Sequence, residues 1–196
     1  MNYIRLQAAF RDRAWFTARD VADALKIAPL SALVACSRYV KQGLLVRLKK
    51  NYYVLAERWN RLSANELFPV ANILQVPSYV SLMSALSFHG RTTQVQRNVI
   101  ESVCVKKSRM FSIRQAEFRF FKITERYYSG FARDEGIFMA TPEKALVDAV
   151  YLQSLGKYRL DADSVDFAGF DKNRLKRIVR VFPDKTQRMV RSICGI

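Results

Sequence analysis

APLSALVACSRYVKQGLLVRLKKNYYVLA, residues 28–56, predicts a helix that leads into a two-stranded hairpin. Pro29 suits the first turn of the helix, because the N–H group that proline lacks would have no partner there. Apolar residues at helical spacing define one face, made up of Leu33, Val34, Val40 and Leu44. Gly43 ends the helix, since glycine adopts the left-handed conformation of a C-terminal cap without strain.

The predicted hairpin has strands over residues 44–48 and 52–56, joined by a turn at residues 49–51. Asn51 tolerates the left-handed conformation that such a turn requires. The second face of the helix is small at its start and basic toward its end, and it comprises Ser31, Ala32, Ala35, Arg38, Lys41 and Gln42. A small-faced helix followed by a basic hairpin tip is typical of the recognition helix and wing of a winged-helix DNA-binding domain.

Each part of this arrangement has a predicted role on double-stranded DNA. The recognition helix enters the major groove, and the wing lies along the phosphates. The residues predicted to face base edges are Ser31, Ala32, Ala35 and Arg38, with Lys41 at the basic end of the same face. The residues predicted to hold the DNA backbone are Arg47, Lys49, Lys50 and Asn51.

Two further helices are predicted before this stretch, and the second completes a helix-turn-helix. The first covers residues 2–12; the second begins at a capping box formed by Thr17 and Asp20 and ends near Ile27. Arg19, near the start of the second helix, is either a phosphate contact or an ordinary surface arginine. The apolar sides of the two helices comprise Tyr3, Leu6 and Phe10, and Val21, Ala24 and Leu25.

The charge of the chain points to an anionic partner. The 196 residues are half apolar and carry a formal net charge of +16. Such a surplus most often serves nucleic-acid binding, although any single basic block can also be a solvated face. The charge is segregated, because residues 134–171 are acidic whereas residues 1–65, 91–133 and 172–191 are basic.

Composition also sets several expectations about location and metals. No run approaches the ~20 apolar residues that span a bilayer, and the start lacks a secretory signal, so a cytoplasmic protein is expected. Three widely spaced cysteines and one histidine favour reduced thiols over a disulfide framework or a zinc site. We expect no cofactor.

The second half of the chain predicts a mixture of helices and a small sheet, which gives an α+β protein. Residues 58–66 form a polar connector between an N-terminal domain, residues 1–60, and a C-terminal domain, residues 66–196. Helices are predicted over residues 67–74 and 78–90, the second capped by Ser78, ended by Gly90 and carrying Tyr79 on its apolar stripe. Strands are predicted over residues 99–105, 117–123 and 136–140, with a basic turn at residues 106–114.

The best-marked helix starts at Thr141, with Pro142 at its first position and Glu143 near the positive end of its dipole. Glu143 and Asp148 do not share a face, so a metal pair is not expected. Glu143 is expected to cap the helix, and Asp148 is expected to be a buried or interfacial acid with one partner. The acidic stretch from residue 161 to residue 171 does not have the glycine and the terminal glutamate at the positions that a calcium loop requires. Two basic helices separated by Pro183 follow, and the first carries Lys172, Lys176, Arg177 and Arg180 outward.

The order of these motifs resembles the AbiEi-type antitoxins of type IV toxin–antitoxin, or abortive-infection, systems. The resemblance rests on the winged helix ending at residues 43–48, on residues 77–90, PSYVSLMSALSFHG, and on residues 140–148, ATPEKALVD. Within the last two motifs it marks Ser78, Tyr79, Ser81, Thr141, Pro142, Glu143, Lys144 and Asp148.

The resemblance implies two functions and no enzymatic activity. The N-terminal domain is expected to repress its own operon by binding inverted repeats in promoter DNA. The C-terminal domain is expected to neutralise a nucleotidyltransferase-like toxin, without the need for a stable complex. We expect the basic residues Lys172, Lys176, Arg177 and Arg180 to take part in neutralisation.

Two alternative functions remain open from the residues. One is a ligand-responsive transcription factor, although no glycine-rich phosphate loop or cofactor motif supports it. The other is a nuclease fused to a DNA-binding domain, suggested faintly by the acidic-x-basic strand Glu117-Phe118-Arg119. A nucleophilic serine at 81, 84 or 87 is disfavoured, because no Gly-x-Ser-x-Gly elbow surrounds these positions.

Overall fold

The computed structural model describes residues 3–94, 98–134 and 136–196. The chain forms two compact units, which divide between Val70 and Ala71. Both contain helices and strands, so the predicted α+β class is confirmed.

The N-terminal unit has the helix and hairpin order that the sequence predicts. Its helices are α1 (Tyr3–Phe10), α2 (Ala18–Leu25), α3 (Pro29–Lys41) and the short α4 (Ala56–Trp59). Its strands are β1 (Phe16–Thr17), β2 (Leu45–Lys49) and β3 (Tyr52–Leu55), arranged in the order β1-β3-β2 with antiparallel pairing. Strand β1 was not predicted, because two residues carry no periodic pattern.

Local sequence chemistry explains the boundaries of these elements. The capping box is confirmed, because the Thr17 side chain accepts a bond from the Asp20 backbone and the Asp20 carboxylate accepts one from the Thr17 backbone. Gly43 has φ +73° just after Gln42, the C-cap of α3, and Asn51 has φ +65° in the hairpin turn. Both left-handed positions were therefore predicted correctly.

The face of α3 that packs into the core differs from the predicted one. The core contains Ala32, Ala35, Cys36 and Tyr39, whereas Val34 is exposed and Leu33 and Val40 are only partly buried. Ala32 and Ala35 are buried in this core together with residues of α2, so their side chains are not accessible to DNA. The prediction that Ala32 and Ala35 face base edges is wrong.

The helix α5 (Phe68–Leu74) leads into the C-terminal unit, which is built on a six-stranded mixed sheet. The strands are β4 (Ser78–Val80), β5 (Val99–Cys104), β6 (Arg109–Ile113), β7 (Ala116–Lys122), β8 (Phe131–Asp134) and β9 (Ile137–Ala140), in the order β6-β7-β5-β4-β9-β8. Pairs β4–β9 and β5–β7 are parallel, and the other neighbours are antiparallel.

Two elements of this unit correct the sequence interpretation. Residues 78–80 form a strand, so Ser78 does not cap a helix; its hydroxyl donates to the Gln75 carbonyl. The next helix, α6 (Leu82–Phe88), begins only after Ser81. Residues 109–113, predicted as a turn, form the edge strand β6, because pairing with β7 overrides their weak alternation.

The helix α7 (Pro142–Ser154) is the centre of the C-terminal unit. It is buried along almost its whole length, including Glu143, Lys144 and Asp148. Helices α6, α8 (Lys172–Val179) and α9 (Asp184–Cys194) all contact it. The predicted start of α7 is confirmed, because the Thr141 hydroxyl accepts a bond from the Lys144 backbone and Pro142 occupies the first turn.

Candidate functional site

The solvent-facing side of α3 is the candidate DNA-reading surface. Ser31, Val34, Arg38 and Lys41 are exposed on it. These residues follow one another at intervals of three or four, so they form a stripe along the helix. Leu30, Ser37 and Gln42 are also exposed at its margins.

The wing brings a second group of polar side chains to the surface. Arg47, Lys50 and Asn51 are exposed, and a register shift between Arg47 and Lys49 marks a bulge in β2. The Asn51 carbonyl accepts a bond of 3.2 Å from the Ala18 backbone, so the wing turn is tied to the start of α2. Arg19, the next residue, is exposed there.

Lys49 lies differently from its neighbour Lys50. The Nζ atom of Lys49 is 4.3 Å from the centre of the Tyr52 ring, and its side chain is only partly exposed. Burial lowers the pKa of Lys49. Its charge is therefore directed toward an aromatic ring of the hairpin, whereas that of Lys50 is open to solvent.

The exposed cations of this surface are not neutralised by nearby acids. Within the described residues, no carboxylate lies in salt-bridge range of any member of the set Arg19, Arg38, Lys41, Arg47 and Lys50. Such cations are available to displace the counterions of a polyanion.

The motif residues of the C-terminal unit form a buried polar network. Lys144 Nζ donates to Asp148 Oδ1 and, over 2.8 Å, to the Tyr79 hydroxyl. Tyr79 and Ser81 donate in turn to Asp148 Oδ2, over 2.8 and 2.9 Å. The prediction of one partner for Asp148 is wrong, because three side chains converge on its carboxylate.

The network is enclosed by apolar groups. Lys144 is 1% and Asp148 0% exposed, and the Tyr79 ring stacks on Phe131. Gly130, at φ +74°, lies against the Lys144 stem so closely that a Cβ there would sit 3.0 Å from two of its carbons. The charged pair is thus out of reach of solvent, and its polar atoms tie β4 to α7.

Burial dominates the electrostatics of the network. It lowers the pKa of Lys144 and raises the pKa of Asp148, and the attraction between the two charges opposes both shifts. Burial also raises the pKa of Tyr79 well above its usual value, so the phenol keeps its proton and donates to Asp148.

A second buried acid stabilises the start of α6. Glu101 Oε2 accepts bonds from the Met83 backbone at 3.1 Å and the Tyr158 hydroxyl at 2.8 Å. Leu82, between Ser81 and Met83, has φ +55°, a strained conformation for a leucine. Burial raises the pKa of Glu101. Ser81 and Glu101 therefore hold the strained junction between β4 and α6 from two sides.

A comparison with protein families finds a match over the helices and the hairpin of the N-terminal unit. Residues 5–56 match the family model described as "Transcriptional regulator, AbiEi antitoxin". The AbiEi resemblance is confirmed over this segment, which covers the helices α1–α3 and the hairpin. No curated protein is similar enough to the chain to count as a match.

A solved structure supports the fold of nearly the whole chain. The RV2827C protein from Mycobacterium tuberculosis is similar with a TM-score of 0.64 and 15% sequence identity. The alignment covers 98% of this chain and 75% of that protein. At this identity the likeness concerns the fold alone.

Outside the AbiEi-matched segment, the structure brings together only part of the predicted motif. Tyr79, Ser81, Lys144 and Asp148 meet in the network. Glu143 instead reaches the start of α8, where its Oε1 atom accepts a bond from the Asp171 backbone at 3.3 Å. Its other carboxylate oxygen, Oε2, is buried without a hydrogen-bond partner among the described residues.

The predicted basic face of α8 is exposed as expected. Lys172, Lys176, Arg177 and Arg180 are all exposed, while Leu175 and Val179 are buried. The partly buried Ile178 and the buried Phe182 continue the inner side. None of the four cations has a salt bridge within the part of the chain that the structure describes.

The residues that suggested a nuclease do not form a metal site among the described residues. Arg119 binds Glu117 on the same strand, so the acidic-x-basic pattern forms an exposed ion pair. Across residues 3–94, 98–134 and 136–196, no group of His, Cys, Asp or Glu has the arrangement of a metal site.

The same residues contain no helix long and apolar enough to cross a membrane.

Sequence reasoning missed several residues and contacts that the structure places at these sites. Lys144 and Asp148 were both named as motif residues, but their ion pair was not predicted, although their spacing of four residues on α7 could have indicated it. Val34 was predicted on the core face of α3 and Leu30 was assigned to no face, whereas both side chains are exposed. Glu101 and Tyr158 carry no sequence signal, since they are 57 residues apart and meet only through the fold.

Proposed function

We propose that this protein is the antitoxin of a type IV toxin–antitoxin system and the repressor of its own operon. In this proposal residues 1–60 bind inverted repeats in double-stranded promoter DNA. Residues 66–196 neutralise a nucleotidyltransferase-like toxin in the cytoplasm, and the antitoxin itself catalyses no reaction.

The observation that carries the proposal is the unneutralised basic surface of α3 and the wing, within the segment similar to AbiEi antitoxins. Ser31 and Arg38 are its candidate base readers, with Lys41 beside them. Arg19, Arg47 and Lys50 are its candidate phosphate contacts, and Asn51 fixes the wing turn against α2. Lys49 supports the wing through Tyr52.

The role of the C-terminal unit rests on a different surface. The buried network uses its polar atoms internally, so it serves the fold of this unit and leaves recognition to exposed groups. The exposed cations Lys172, Lys176, Arg177 and Arg180 on α8 are the candidate neutralising face.

Two assays on the full chain test the two functions separately. The first measures binding to the promoter upstream of the protein's own gene against random DNA of equal length. The second measures growth of cells that express the neighbouring gene as toxin, with and without this protein. Equal affinity for promoter and random DNA would overturn the repressor function, and unrescued growth would overturn the antitoxin function.

A further inference from the structure

The exposed face of α3 carries two large apolar side chains among its polar ones. Leu30 is 72% and Val34 64% exposed, whereas the apolar residues of the opposite face are packed in the core. Leu30, Val34 and Arg38 are spaced four residues apart, so they form one row along the helix.

The charges around this row indicate what covers it. Arg38 and Lys41 continue the same face, and Arg19, Arg47 and Lys50 are exposed on α2 and the wing. Cations that form no salt bridge among the described residues suit a polyanion. The apolar group that the DNA major groove presents is the C5-methyl of thymine. A protein partner would be expected to supply acids for the cations and a continuous apolar surface for the pair.

We propose that Val34, assisted by Leu30, reads thymine methyl groups in the major groove of the operator. This inference rests on the proposed DNA-binding function and adds a specificity-determining contact to it. Four residues of α-helix rise about 6 Å, close to the rise of two base pairs. Val34 and Arg38 therefore read positions about two base pairs apart where α3 follows the groove, and arginine pairs best with guanine.

The test compares the natural promoter duplex with the same duplex in which deoxyuridine replaces every thymidine. The replacement removes the C5-methyl groups and keeps the hydrogen-bonding pattern of the bases. We expect the wild-type chain to bind the uracil duplex about fourfold more weakly for each methyl group that Val34 or Leu30 covers. A pair of random-sequence duplexes, with and without methyl groups, corrects for general effects of uracil on the DNA.

Two variants connect the effect to the proposed side chain. Val34→Ala should weaken binding to the thymine duplex and lower the thymine-to-uracil affinity ratio, and the double variant Leu30→Ala with Val34→Ala should bring that ratio close to one. Ile4→Ala is the matched control, because Ile4 is 69% exposed on α1 and lies outside the α3 face. It should leave the ratio unchanged.

Each remaining outcome counts against the inference in a distinguishable way. Equal affinity of the wild type for both promoter duplexes, or an unchanged ratio in Val34→Ala, would overturn the methyl contact while leaving operator binding intact. A switch of Val34→Ala from dimer to monomer in light scattering, with the ratio unchanged, would assign this face to self-association. Failure to prefer the promoter over random DNA would overturn the proposed function and this inference together.

Discussion

Lys144 has its charge enclosed in the C-terminal unit, and Asp148 is the acid that compensates it. Asp148→Ala would leave a buried ammonium group without its counter-charge. We expect the free energy of unfolding to fall by about 3–5 kcal/mol, the range found when one partner of a buried pair is removed. Urea unfolding followed by circular dichroism measures this loss.

Arg174→Ala provides the comparison for a surface ion pair in the same unit. Arg174 and Asp171 are each about half exposed, so their pair should contribute at most about 1 kcal/mol. If Asp148→Ala were no more destabilising than Arg174→Ala, the network would not be an internal tie between β4 and α7.

Glu66 gives the N-terminal unit a defined response to acid. A bond from the Ser63 backbone, with bonds from the Arg58 and Ser63 side chains, lowers the pKa of Glu66 from 4.5 to about 2. A lowered pKa in the folded state means that the stabilisation is present above pH 4.5 and is lost as the pH falls through about 2. We therefore expect Glu66→Gln to be less stable at neutral pH and to show a flatter decline over this acid range.

Tryptophan fluorescence measures this effect in the N-terminal unit specifically, because both tryptophans of the chain, Trp15 and Trp59, lie within residues 1–70. Arg58→Ala should remove part of the pH dependence and leave the share that comes from the Ser63 backbone. An acid decline of equal steepness in wild type and Glu66→Gln would refute the role of this carboxylate.

The two adjacent lysines of the wing, Lys49 and Lys50, have different environments in the structure. Lys50→Ala should lower the slope of log affinity against log salt concentration by about 0.9, the value for one phosphate that is no longer neutralised. Lys49→Ala should change the slope less and destabilise the hairpin, since its Nζ atom lies over Tyr52. DNA titrations at several salt concentrations measure both slopes, and a larger change for Lys49→Ala would reverse the assignment.

Elements that begin or end at capping residues, glycine or proline were predictable from the sequence. Elements that form only by pairing with another strand were not. The capping box at Thr17, the glycine after α3 and the Thr141-Pro142 start of α7 all reappear in the structure. The edge strand β6 was missed because its residues alternate weakly and become a strand only through β7. The face of α3 was misjudged because small alanines pack in the core while Val34 stays outside.

At the scale of the whole molecule, the sequence indicated the order of the motifs along the chain but not which of their residues contact one another. Residues 77–90 and 140–148 were recognised as a combination, yet the bonds from Tyr79 and Ser81 to Asp148 form only because the fold brings the two motifs together. Helix periodicity cannot predict contacts between residues nearly 70 positions apart. The exposed basic residues of α8, in contrast, were predictable from amphipathic spacing alone.

The two proposed functions use different exposed surfaces, so full-length variants should separate them. Lys176→Glu combined with Arg177→Glu keeps the buried side of α8 and reverses its outer charge. We expect this variant to bind the promoter normally and to lose rescue of toxin-expressing cells, whereas Arg38→Ala should lose promoter discrimination and keep rescue. Lys157→Glu with Arg159→Glu makes the same change in net charge at other exposed positions of the unit and should keep both functions. Rescue by the α8 variant, at normal protein level and melting temperature, would place neutralisation elsewhere on the C-terminal unit.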